Sequence, residues 1–466
     1  MKKQGTGNRE HGLGKGQSRA QAVSAKGLAA KGPVRRRPAS AGPTLSAAES
    51  LAKLTPARRV AFEILMLVGQ GKGHSDELLH SARTEALSAE DRNLATALVM
   101  GVLRWEIALD ARVRGYLERP EQRLAESVTL ALRLGAFQLL HMDRIPAHAA
   151  LSESVELCRA FGEPFATGMV NAVLRKVAAA QKPGTRLFES TAAFAERLAH
   201  PRWLVERWVA VYGREAALKI CEAGQREPDE ATMFAEVGGD VLPFMDDGSR
   251  LVAELAAVAV PNAKRIWDCC AAPGGKTLVL AARESAAEVL ATDVSGRRTA
   301  QMEARLARYG YGARVKCAVA DASAAEKKNE GDFDLILCDV PCSGTGTLAR
   351  NPEIRHRLQM EELTRQAVRQ KAILSGALKR LAAGGRLVYS TCSLVAEENE
   401  RVVDAVVTGP EFRRVPIDGL LGSLRASGVL REGIELGSAV RDGALRTLPG
   451  GHGCDGFYAV VVERVA

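Results

Sequence analysis

The sequence predicts an α + α/β protein, in which an all-helical domain over residues 52–182 precedes an α/β domain over residues 259–466. Two observations support this division. Large apolar residues recur at helical spacing through the first region, whereas short β-branched runs alternate with longer helical stretches in the second. The stretch between them, residues 183–258, is less regular, and we interpret it as a bridging region.

The helical domain is indicated by three groups of apolar residues that recur three or four positions apart. No sustained strand-like alternation interrupts them, and prolines at positions 120, 146 and 164 mark turns between the helices. We interpret these apolar residues as core positions and assign them no chemistry. The groups are Val60, Ile64, Leu65 and Val68; Leu94, Leu98, Val99, Val102 and Leu103; and Val128, Leu132 and Leu139.

The α/β domain is predicted from buried-looking strands separated by helices, an arrangement typical of a parallel sheet that is covered on both faces. The last apolar run, residues 457–464, is expected to add an antiparallel strand. Helices are predicted near 276–285, 296–309 and 361–383. The remaining predicted strands are 265–270, 288–293, 314–320, 333–339 and 386–392.

Residues 1–50 are predicted to form a disordered basic tail. They contain ten of the 64 Lys and Arg residues but only two of the 55 acidic residues, so +8 of the net charge of +9 lies there. The segment also lacks spaced large apolar residues that could offset the entropy lost on ordering. A solvated tail and a basic arm that attracts phosphates are both consistent with this composition.

The composition excludes several classes of protein. Hydrophobic residues make up 46% of the chain and charged residues 26%, a balance typical of globular rather than fibrous or disordered proteins. No apolar run approaches the roughly 18 residues of a membrane span and no signal peptide is recognisable, so we expect a cytoplasmic protein. The nine cysteines include no CxxC pair and the histidines no HExxH motif, so we predict neither disulfides nor a metal site.

The carboxyl ends of the predicted strands carry the residues of a ligand pocket, since open α/β sheets bind ligands at this edge. The first strand runs into a loop whose glycines let the backbone pass close to a ligand before a helix begins. Asp293 ends the second strand 23 residues after Cys270, a spacing at which its carboxylate can bind both hydroxyls of a ribose. Asp321 and Asp339 end the next two strands. The sequence therefore predicts a nucleoside pocket.

Two phosphate-binding alternatives fit this pocket less well. Gly-Gly-Lys-Thr resembles a phosphate loop, but that pattern requires its first glycine at position 270, where the Cys270 side chain would obstruct the backbone cradle. The dinucleotide fingerprint GxGxxG is absent between the first strand and its helix. An ATPase is therefore disfavoured, and a small non-phosphorylated nucleoside such as S-adenosylmethionine remains as the predicted ligand.

Two cysteines follow strand ends that open on the same edge of the sheet: Cys342 in Asp-Val-Pro-Cys and Cys392 in Ser-Thr-Cys-Ser. Most free cysteines are small buried hydrophobes, but two at functional strand ends need another explanation. Methylation of cytosine at carbon 5 supplies one, because a thiolate that adds to carbon 6 makes carbon 5 nucleophilic and must later be expelled. Asp339 could then hydrogen-bond the N3 and N4 edge of the base.

These motifs resemble those of RNA cytosine-C5 methyltransferases of the Sun/Fmu type over residues 52–466. The resemblance implies a class I (Rossmann-like) methyltransferase domain with a mostly parallel seven-stranded sheet. It also implies that Cys392 is the nucleophile, that Cys342 aids product release and that S-adenosylmethionine is the cofactor. DNA cytosine methyltransferases use the Pro-Cys cysteine instead, so possession of both loops favours RNA. The implied cofactor contacts are Cys270, Ala271, Ala272, Pro273, Gly274, Gly275, Lys276, Asp293, Asp321 and Asp339.

The helical domain resembles the RNA-binding fold of the antitermination factor NusB, on the basis of residues 133–140 and 170–175. The resemblance implies that small-subunit (16S) ribosomal RNA is the partner of this domain, and we expect the enzyme to be a monomer. Basic residues after the Pro-Cys loop either contact RNA phosphates or form a solvated helix face. They are Arg350, Arg355, Arg357, Arg365, Arg369 and Lys371.

The bridging region departs from the family pattern, since it is shorter than usual and carries residues 247–250 (Asp-Gly-Ser-Arg) where a Gln-Asp pair is expected. The catalytic residues are unaffected, but the choice of target nucleotide stays open. The main hypothesis is transfer of a methyl group from S-adenosylmethionine to carbon 5 of a cytidine in 16S ribosomal RNA. The alternatives are the same reaction on another RNA and a non-catalytic ribosome assembly factor that retains the cofactor fold.

Overall fold

The N-terminal boundary of the fold lies slightly earlier than the sequence predicts. Residues 47–50, predicted as the end of the tail, instead begin helix α1 (Ala47–Ala52), where Ser46 and Glu49 form a capping box that stabilises the helix start. Residues 1–45 of the predicted tail lie outside the described residues. The computed structural model describes residues 46–180, 189–228, 232–235, 242, 244–326 and 333–465.

The N-terminal domain is all-helical in the described residues, as predicted, and its apolar faces meet in one buried cluster that includes Phe62, Leu98 and Leu132. Two of its helices cross closely at Gly101, because a Cβ there would lie only 1.9 Å from the Phe137 ring. After α1, its helices are α2 (Pro56–Gly69), α3 (Ser75–Leu79), α4 (Ala82–Glu85), α5 (Ala89–Arg114), α6 (Glu126–His141), α7 (Ala147–Ala160) and α8 (Thr167–Ala179).

The predicted bridging region is packed into the rest of the protein. Helices α9 (Thr191–Arg197), α10 (Arg202–Tyr212) and α11 (Arg214–Gly224) form an apolar cluster together with residues of the α/β domain, among them Leu394. The last helix, α12 (Asp247–Ala259), buries its apolar side against the sheet. This segment therefore contributes to two hydrophobic cores rather than acting as a simple linker.

The α/β domain is built on a mixed sheet with nine strands in the described residues, against the seven expected. The two additional strands are two and three residues long, too short for an alternating pattern to be recognised in the sequence. The strands are β1 (Arg265–Asp268), β2 (Glu288–Asp293), β3 (Val315–Val319), β4 (Phe333–Asp339), β5 (Leu381–Thr391), β6 (Phe412–Val415), β7 (Val440–Arg441), β8 (Ala444–Arg446) and β9 (Tyr458–Arg464).

The strand order is β3-β2-β1-β4-β5-β9, in which the first five strands are parallel and β9 is antiparallel, as predicted for the last apolar run. The far edge of β9 is shared by two short strands. Strand β6 pairs with its C-terminal half and β8, from the β7-β8 hairpin, pairs with its start. The six strands of this order, together with β6, account for the seven strands that were expected. The β7-β8 hairpin accounts for the other two strands of the sheet.

Both faces of the sheet are covered, because successive strand residues point to opposite sides. In β4, Leu335 and Leu337 belong to the apolar cluster on one face of the sheet, which includes Leu255 of α12. Ile336 and Cys338 belong to a second cluster, on the other face, which includes Leu374 and Val403. None of the helices in the described part of the chain combines the length and apolarity needed to cross a membrane. The remaining helices are α13 (Gly275–Arg283), α14 (Gly296–Arg308), α15 (Ile354–Arg357), α16 (Met360–Leu378), α17 (Glu400–Val406) and α18 (Asp418–Ala426).

Candidate active site

A cavity of about 280 Å³ lies at the carboxyl ends of β1, β2, β3, β4 and β5. Parallel pairing brings these ends to one edge; in the β4-β5 register, for example, Asp339 stands opposite Ser390. Both predicted catalytic cysteines and the three strand-end aspartates line the cavity. From the predicted site it takes in Cys270, Ala272, Asp293, Asp321, Asp339, Cys342 and Cys392.

The loop between β1 and α13 forms the cavity floor, although not every predicted residue faces the cavity. Ala271 is buried and donates its backbone N–H to the carbonyl of Thr292 at 2.8 Å. Gly274 has a φ of 91°, a conformation that favours glycine, and donates to the carbonyl of Ala271 at 2.7 Å. Pro273 and Gly275 lie on this turn and are not part of the cavity lining, and their contact with the cofactor stays a prediction.

Asp293 presents a buried carboxylate at the end of β2. Its Oδ1 accepts the backbone N–H of Ser295 at 2.9 Å, and its Oδ2 lies 3.0 Å from Nη1 of Arg298. Arg298 also donates to the carbonyl of Ala272 at 2.5 Å, so the guanidinium joins the β2 end to the β1 loop. A carboxylate held in this way can still accept hydrogen bonds from a ribose diol on its free lone pairs.

Asp321 follows β3 and is more exposed than Asp293. Its Oδ1 accepts the hydroxyl and the backbone N–H of Ser323 at 2.7 and 2.9 Å, and these hydrogen bonds lower the pKa of the carboxyl. Arg369, a basic residue predicted to meet RNA, lies on the same cavity wall and also lowers this pKa. Asp321 is therefore an ionised acceptor at the cavity rim.

Asp339 is held by two groups at the centre of the cavity. Nζ of Lys276 lies 2.7 Å from its Oδ2, and the hydroxyl of Ser390 donates to its Oδ1 at 2.7 Å. Burial lowers the pKa of Lys276, but the Asp339 carboxylate, and to a smaller extent Cys392, outweigh burial and raise it overall. Lys276 thus stays cationic beside both Asp339 and Cys392, and its contact with the cofactor stays a prediction.

Asp268 lies beneath this pair at the end of β1, where it is 1% exposed. Its Oδ2 accepts the hydroxyl of Thr277 at 2.7 Å. Burial raises the pKa of Asp268 to about 7, and the neighbouring Asp339 carboxylate adds to the rise. This buried acid was not singled out from the sequence, because only its strand position marks it and many strand ends carry Asp.

The two predicted catalytic thiols are neighbours in space. Sγ of Cys342 lies 3.3 Å from Sγ of Cys392, and both side chains are half-buried. The contact with Cys392, together with burial, raises the pKa of the Cys342 thiol well above its ordinary value. The β4 and β5 loops therefore bring together the residues that the sequence places 50 positions apart.

The Cys342 loop is fixed by a buried carboxylate that the sequence did not reveal. Glu398 is fully buried and accepts the backbone N–H of Ser343 at 2.8 Å and also its hydroxyl. Gln370 donates to Glu398 at 3.2 Å and to the carbonyl of Pro341 at 2.9 Å. The interactions cross 28 to 55 positions of sequence, so no local motif marks them.

The Cys392 loop has its own anchor in Asn399. The Thr391 hydroxyl donates to Oδ1 of Asn399 at 2.5 Å, and Nδ2 of Asn399 donates to the carbonyl of Ser393 at 2.9 Å. The backbone N–H of Gly346 donates to the carbonyl of Cys392 at 2.9 Å and ties the two cysteine loops together. Both thiols therefore stand on loops whose backbones are fixed.

The segment after the Cys342 loop docks onto the helical domain. Buried Glu353 accepts the hydroxyl and backbone N–H of Ser75 at 2.9 and 3.3 Å, and Arg104 donates to the carbonyl of Ala349 at 3.0 Å. His356 contacts the carbonyl of Leu103 at 2.8 Å. The helical domain is thereby joined directly to the loop that carries Cys342.

The basic residues after the Pro-Cys loop separate into different roles. Arg355 is buried and donates to the backbone carbonyls of Arg104 in the helical domain and of Gly224 in the bridging region, and burial lowers its pKa to about 9. Arg350 pairs with Asp246 and Asp455 at 3.2 and 3.1 Å. For Arg355 the prediction of a phosphate contact is wrong, because its side chain is buried in the protein. The spacing of basic residues in the sequence does not show which of them are buried. Arg365 is exposed and remains a candidate.

Residues 247–250, which depart from the family pattern, begin helix α12. Asp246 caps this helix by accepting the N–H of Gly248 at 2.7 Å, and Asp247 accepts the N–H of Met233 at 2.6 Å. Both carboxylates accept hydrogen bonds from backbone N–H groups, and neither lines the 280 Å³ cavity.

Comparison with known proteins identifies the family. A family model described as 16S rRNA methyltransferase RsmB/F matches residues 255–463, and a NusB family model matches residues 55–179. The chain is 31% identical over 464 residues to a ribosomal RNA small subunit methyltransferase B of Xanthomonas campestris, covering 91% of this chain and 100% of that protein. The chain belongs to the RsmB/F family of 16S rRNA methyltransferases. A probable methyltransferase B of Bacillus subtilis is 30% identical over 461 residues, covering 88% and 99% of the two chains.

Membership of the RsmB/F family confirms the predicted S-adenosylmethionine-dependent RNA methyltransferase with a NusB-like helical domain. The fold prediction is confirmed as well. The crystal structure of the protein PH0851 superimposes with a TM-score of 0.65 at 20% identity, covering 88% of this chain and 99% of that one. The family match does not assign roles to individual residues. Roles for Cys392, Cys342 and Asp339 therefore rest on the geometry of the cavity.

Proposed function

We propose that this protein transfers a methyl group from S-adenosylmethionine to carbon 5 of a cytidine in 16S ribosomal RNA through a covalent adduct of Cys392. The observation that carries this proposal is the 3.3 Å separation of the Cys342 and Cys392 sulfurs on the cavity that Asp339 also lines. A thiol pair beside an acidic side chain matches the requirements of cytosine C5 methylation, which needs a nucleophile, its later release and a hydrogen-bond partner for the base.

The cavity residues fit the cofactor. Asp293 offers buried carboxylate lone pairs to the two ribose hydroxyls, and Asp321 offers an ionised acceptor at the rim. Apolar contacts come from Val294 and Ile373, which line the same cavity and can cover the adenine. When bound there, S-adenosylmethionine supplies an electrophilic methyl group. Side chains of the protein supply the nucleophile, the hydrogen bond to the base and the proton donor for release.

In the first step the Cys392 thiol loses its proton to water, and the thiolate adds to carbon 6 of the cytosine. The ring becomes an enamine whose carbon 5 can attack a methyl group. The Asp339 carboxylate is placed to accept a hydrogen bond from the exocyclic amino group, and the Lys276 ammonium beside it can stabilise the negative charge that develops on the ring. Lys276 holds Asp339 at 2.7 Å and keeps a positive charge next to Cys392. These three residues prepare the base before the methyl group moves.

The second step releases the product. The proton on carbon 5 passes to a water molecule, the electron pair of that C–H bond restores the ring double bond, and the bond between carbon 6 and Cys392 breaks. Cys342 has a raised pKa and therefore carries its proton, and its sulfur lies next to the departing one. We assign to Cys342 the protonation of the leaving Cys392 thiolate.

The assignment of 16S ribosomal RNA rests on the relatives, which are named ribosomal RNA small subunit methyltransferases B and are covered almost over their full length. The docking of the NusB-like domain on the segment after Cys342 supports this assignment, because RNA bound by that domain would lie beside the cavity. We infer a monomeric enzyme that acts in the cytoplasm, where ribosomal RNA is found.

Bisulfite sequencing of ribosomal RNA tests the proposal. In a strain that lacks the gene, one small-subunit cytidine should lose its protection from conversion, and the wild-type gene but not Cys392→Ala should restore it. Unchanged protection in the deletion strain would contradict the 16S assignment. A deletion phenotype in subunit assembly that Cys392→Ala rescues without any methylation would instead support the non-catalytic assembly factor.

A further inference from the structure

We propose that Cys342 and Cys392 also form a redox-modification site, in which a reversible disulfide between them switches the enzyme off. The effect on activity rests on the function proposed above, whereas formation of the bond rests only on the geometry of the two thiols. Catalysis requires the thiols to be neighbours, so the site carries a sensitivity to oxidants as a consequence of its chemistry.

The sulfurs are close to bonding distance. They lie 3.3 Å apart, and a disulfide has a sulfur–sulfur distance of about 2.05 Å, so one or both must move by only about 1.3 Å in total. Formation of the bond requires this movement from rotation of the two side chains.

The two loops keep the thiols together. Glu398 fixes Ser343, the residue after Cys342, through its backbone and hydroxyl, and Asn399 fixes the residues on either side of Cys392. Gly346 joins the loops through its 2.9 Å hydrogen bond to the Cys392 carbonyl. A fixed pair forms its disulfide with little loss of conformational entropy, which favours the intramolecular bond over mixed disulfides.

A small oxidant can reach this pair through two cavities, whereas the neighbouring thiols of Cys269 and Cys338 are buried. Both thiols line the 280 Å³ cavity, and Cys342 also lines a second cavity of about 510 Å³. Cys269 interacts with Cys338 in the sheet, but those two side chains are 2% and 0% exposed. Cys270 is half-buried and also lines the first cavity, and it contacts Cys269. These two residues are adjacent in sequence, and Cα atoms about 3.8 Å apart are closer than the roughly 4.4–6.8 Å usual in disulfides, so oxidation should join Cys342 to Cys392 instead.

The oxidant we propose is hydrogen peroxide. One thiol, as thiolate, attacks a peroxide oxygen and becomes a sulfenic acid while the other oxygen leaves as hydroxide and takes up a proton. The second thiol then attacks the sulfenic sulfur, forms the sulfur–sulfur bond and releases water. Two thiols lose two electrons and two protons, and one peroxide becomes two waters. The Cys392 sulfur is then unable to add to carbon 6.

The test is peptide mapping of the full-length protein after mild peroxide treatment and alkylation of the remaining thiols. We expect a cross-linked peptide pair containing Cys342 and Cys392, and a fall in methyl transfer of roughly tenfold when about nine molecules in ten carry the bond. Dithiothreitol should restore both free thiols and activity. The control variant Cys317→Ser, on β3, should show the same cross-link.

Cys342→Ser separates the disulfide from general oxidation. This variant should give no cross-link, and peroxide should convert Cys392 to a sulfinic acid that dithiothreitol does not reverse. The inference is wrong if both thiols of the wild type stay open to alkylation, or if the cross-link joins Cys269 to Cys338. Mapping needs no RNA. A protein that forms the cross-link but, after reduction, never methylates RNA would therefore overturn the proposed function and leave the modification site standing.

Discussion

Glu398 accepts hydrogen bonds from both the backbone N–H and the hydroxyl of Ser343, the residue that follows Cys342. Glu398 is fully buried and also receives the amide of Gln370. It touches no reacting atom in the proposed mechanism and therefore acts as a positioning residue. Its effect should appear where the Cys342 loop matters, in release of the product.

We predict that Glu398→Gln slows breakdown of the RNA adduct more than its formation. The amide keeps one acceptor but replaces the other with a donor that faces the Ser343 hydroxyl, so we also expect a loss of stability of about 1–3 kcal/mol. Rapid-quench measurement of adduct formation and decay, with urea unfolding, checks both parts. The neighbouring Glu397→Gln, which removes a partner of Arg207 and Arg401, should leave the two rates unchanged. Equal slowing of both steps by Glu398→Gln would argue against a role in positioning Cys342.

We predict that Asp339→Asn lowers the single-turnover rate of methylation by about 10²–10³-fold, because the base loses a charged hydrogen-bond acceptor in the transition state. The substitution conserves shape, so the fold should persist, as judged by thermal unfolding. Asp334→Asn is a matched control at the opposite end of the same strand, where the carboxylate binds the backbone N–H groups of Lys264 and Arg265. A rate loss of the same size in both variants would show that strand stability, and not the chemistry, is affected.

We predict that Asp293→Asn weakens binding of S-adenosylmethionine by about 10–100-fold, because one charge-assisted acceptor of the ribose hydroxyls becomes a neutral amide. Isothermal titration calorimetry without RNA measures this Kd directly. Glu303→Gln, on the exposed side of α14, removes a nearby charge without touching the cavity and should bind normally. Unaltered affinity in Asp293→Asn would remove this residue from the cofactor site.

The buried acid Asp268 should make stability depend on pH. Its pKa is about 7 in the folded protein, against an ordinary value of 3.8, so the folded state binds more protons between these values and loses stability as the pH rises. Asp268→Asn cannot titrate. We therefore predict that the stability of the variant relative to wild type increases by about 2 kcal/mol between pH 5 and pH 7. Urea unfolding at several pH values checks this, and a constant difference would mean that Asp268 titrates alike in both states.

The sequence was sufficient to predict those parts of the site that lie at strand ends. Asp293, Asp339, Cys342 and Cys392 each follow a recognisable β-branched run, and parallel pairing places such ends at one edge of a sheet. Family resemblance added the RNA substrate class and the separate roles of the two cysteines, which spacing could not supply.

The supporting residues could not be predicted, because their roles depend on contacts across long stretches of chain. Glu398 meets Ser343 across 55 positions, and Arg355 reaches the carbonyl of Gly224 across 131, although each looks like an ordinary surface residue in the sequence. Lys276 was expected at the cofactor loop, but its partner Asp339 becomes visible only when β1 and β4 pair. Burial and pairing of charges are properties of the fold that local patterns do not encode.

The most direct test of the account compares two alanine variants incubated with ribosomal RNA and S-adenosylmethionine and run on a denaturing gel. Cys392→Ala should form no adduct and no 5-methylcytidine, since the sulfur that adds to carbon 6 is gone. Cys342→Ala should instead accumulate a protein–RNA species that survives denaturation, since addition and methyl transfer proceed but release is slow. Exchange of these two phenotypes would show that Cys342 is the nucleophile and contradict the assignment.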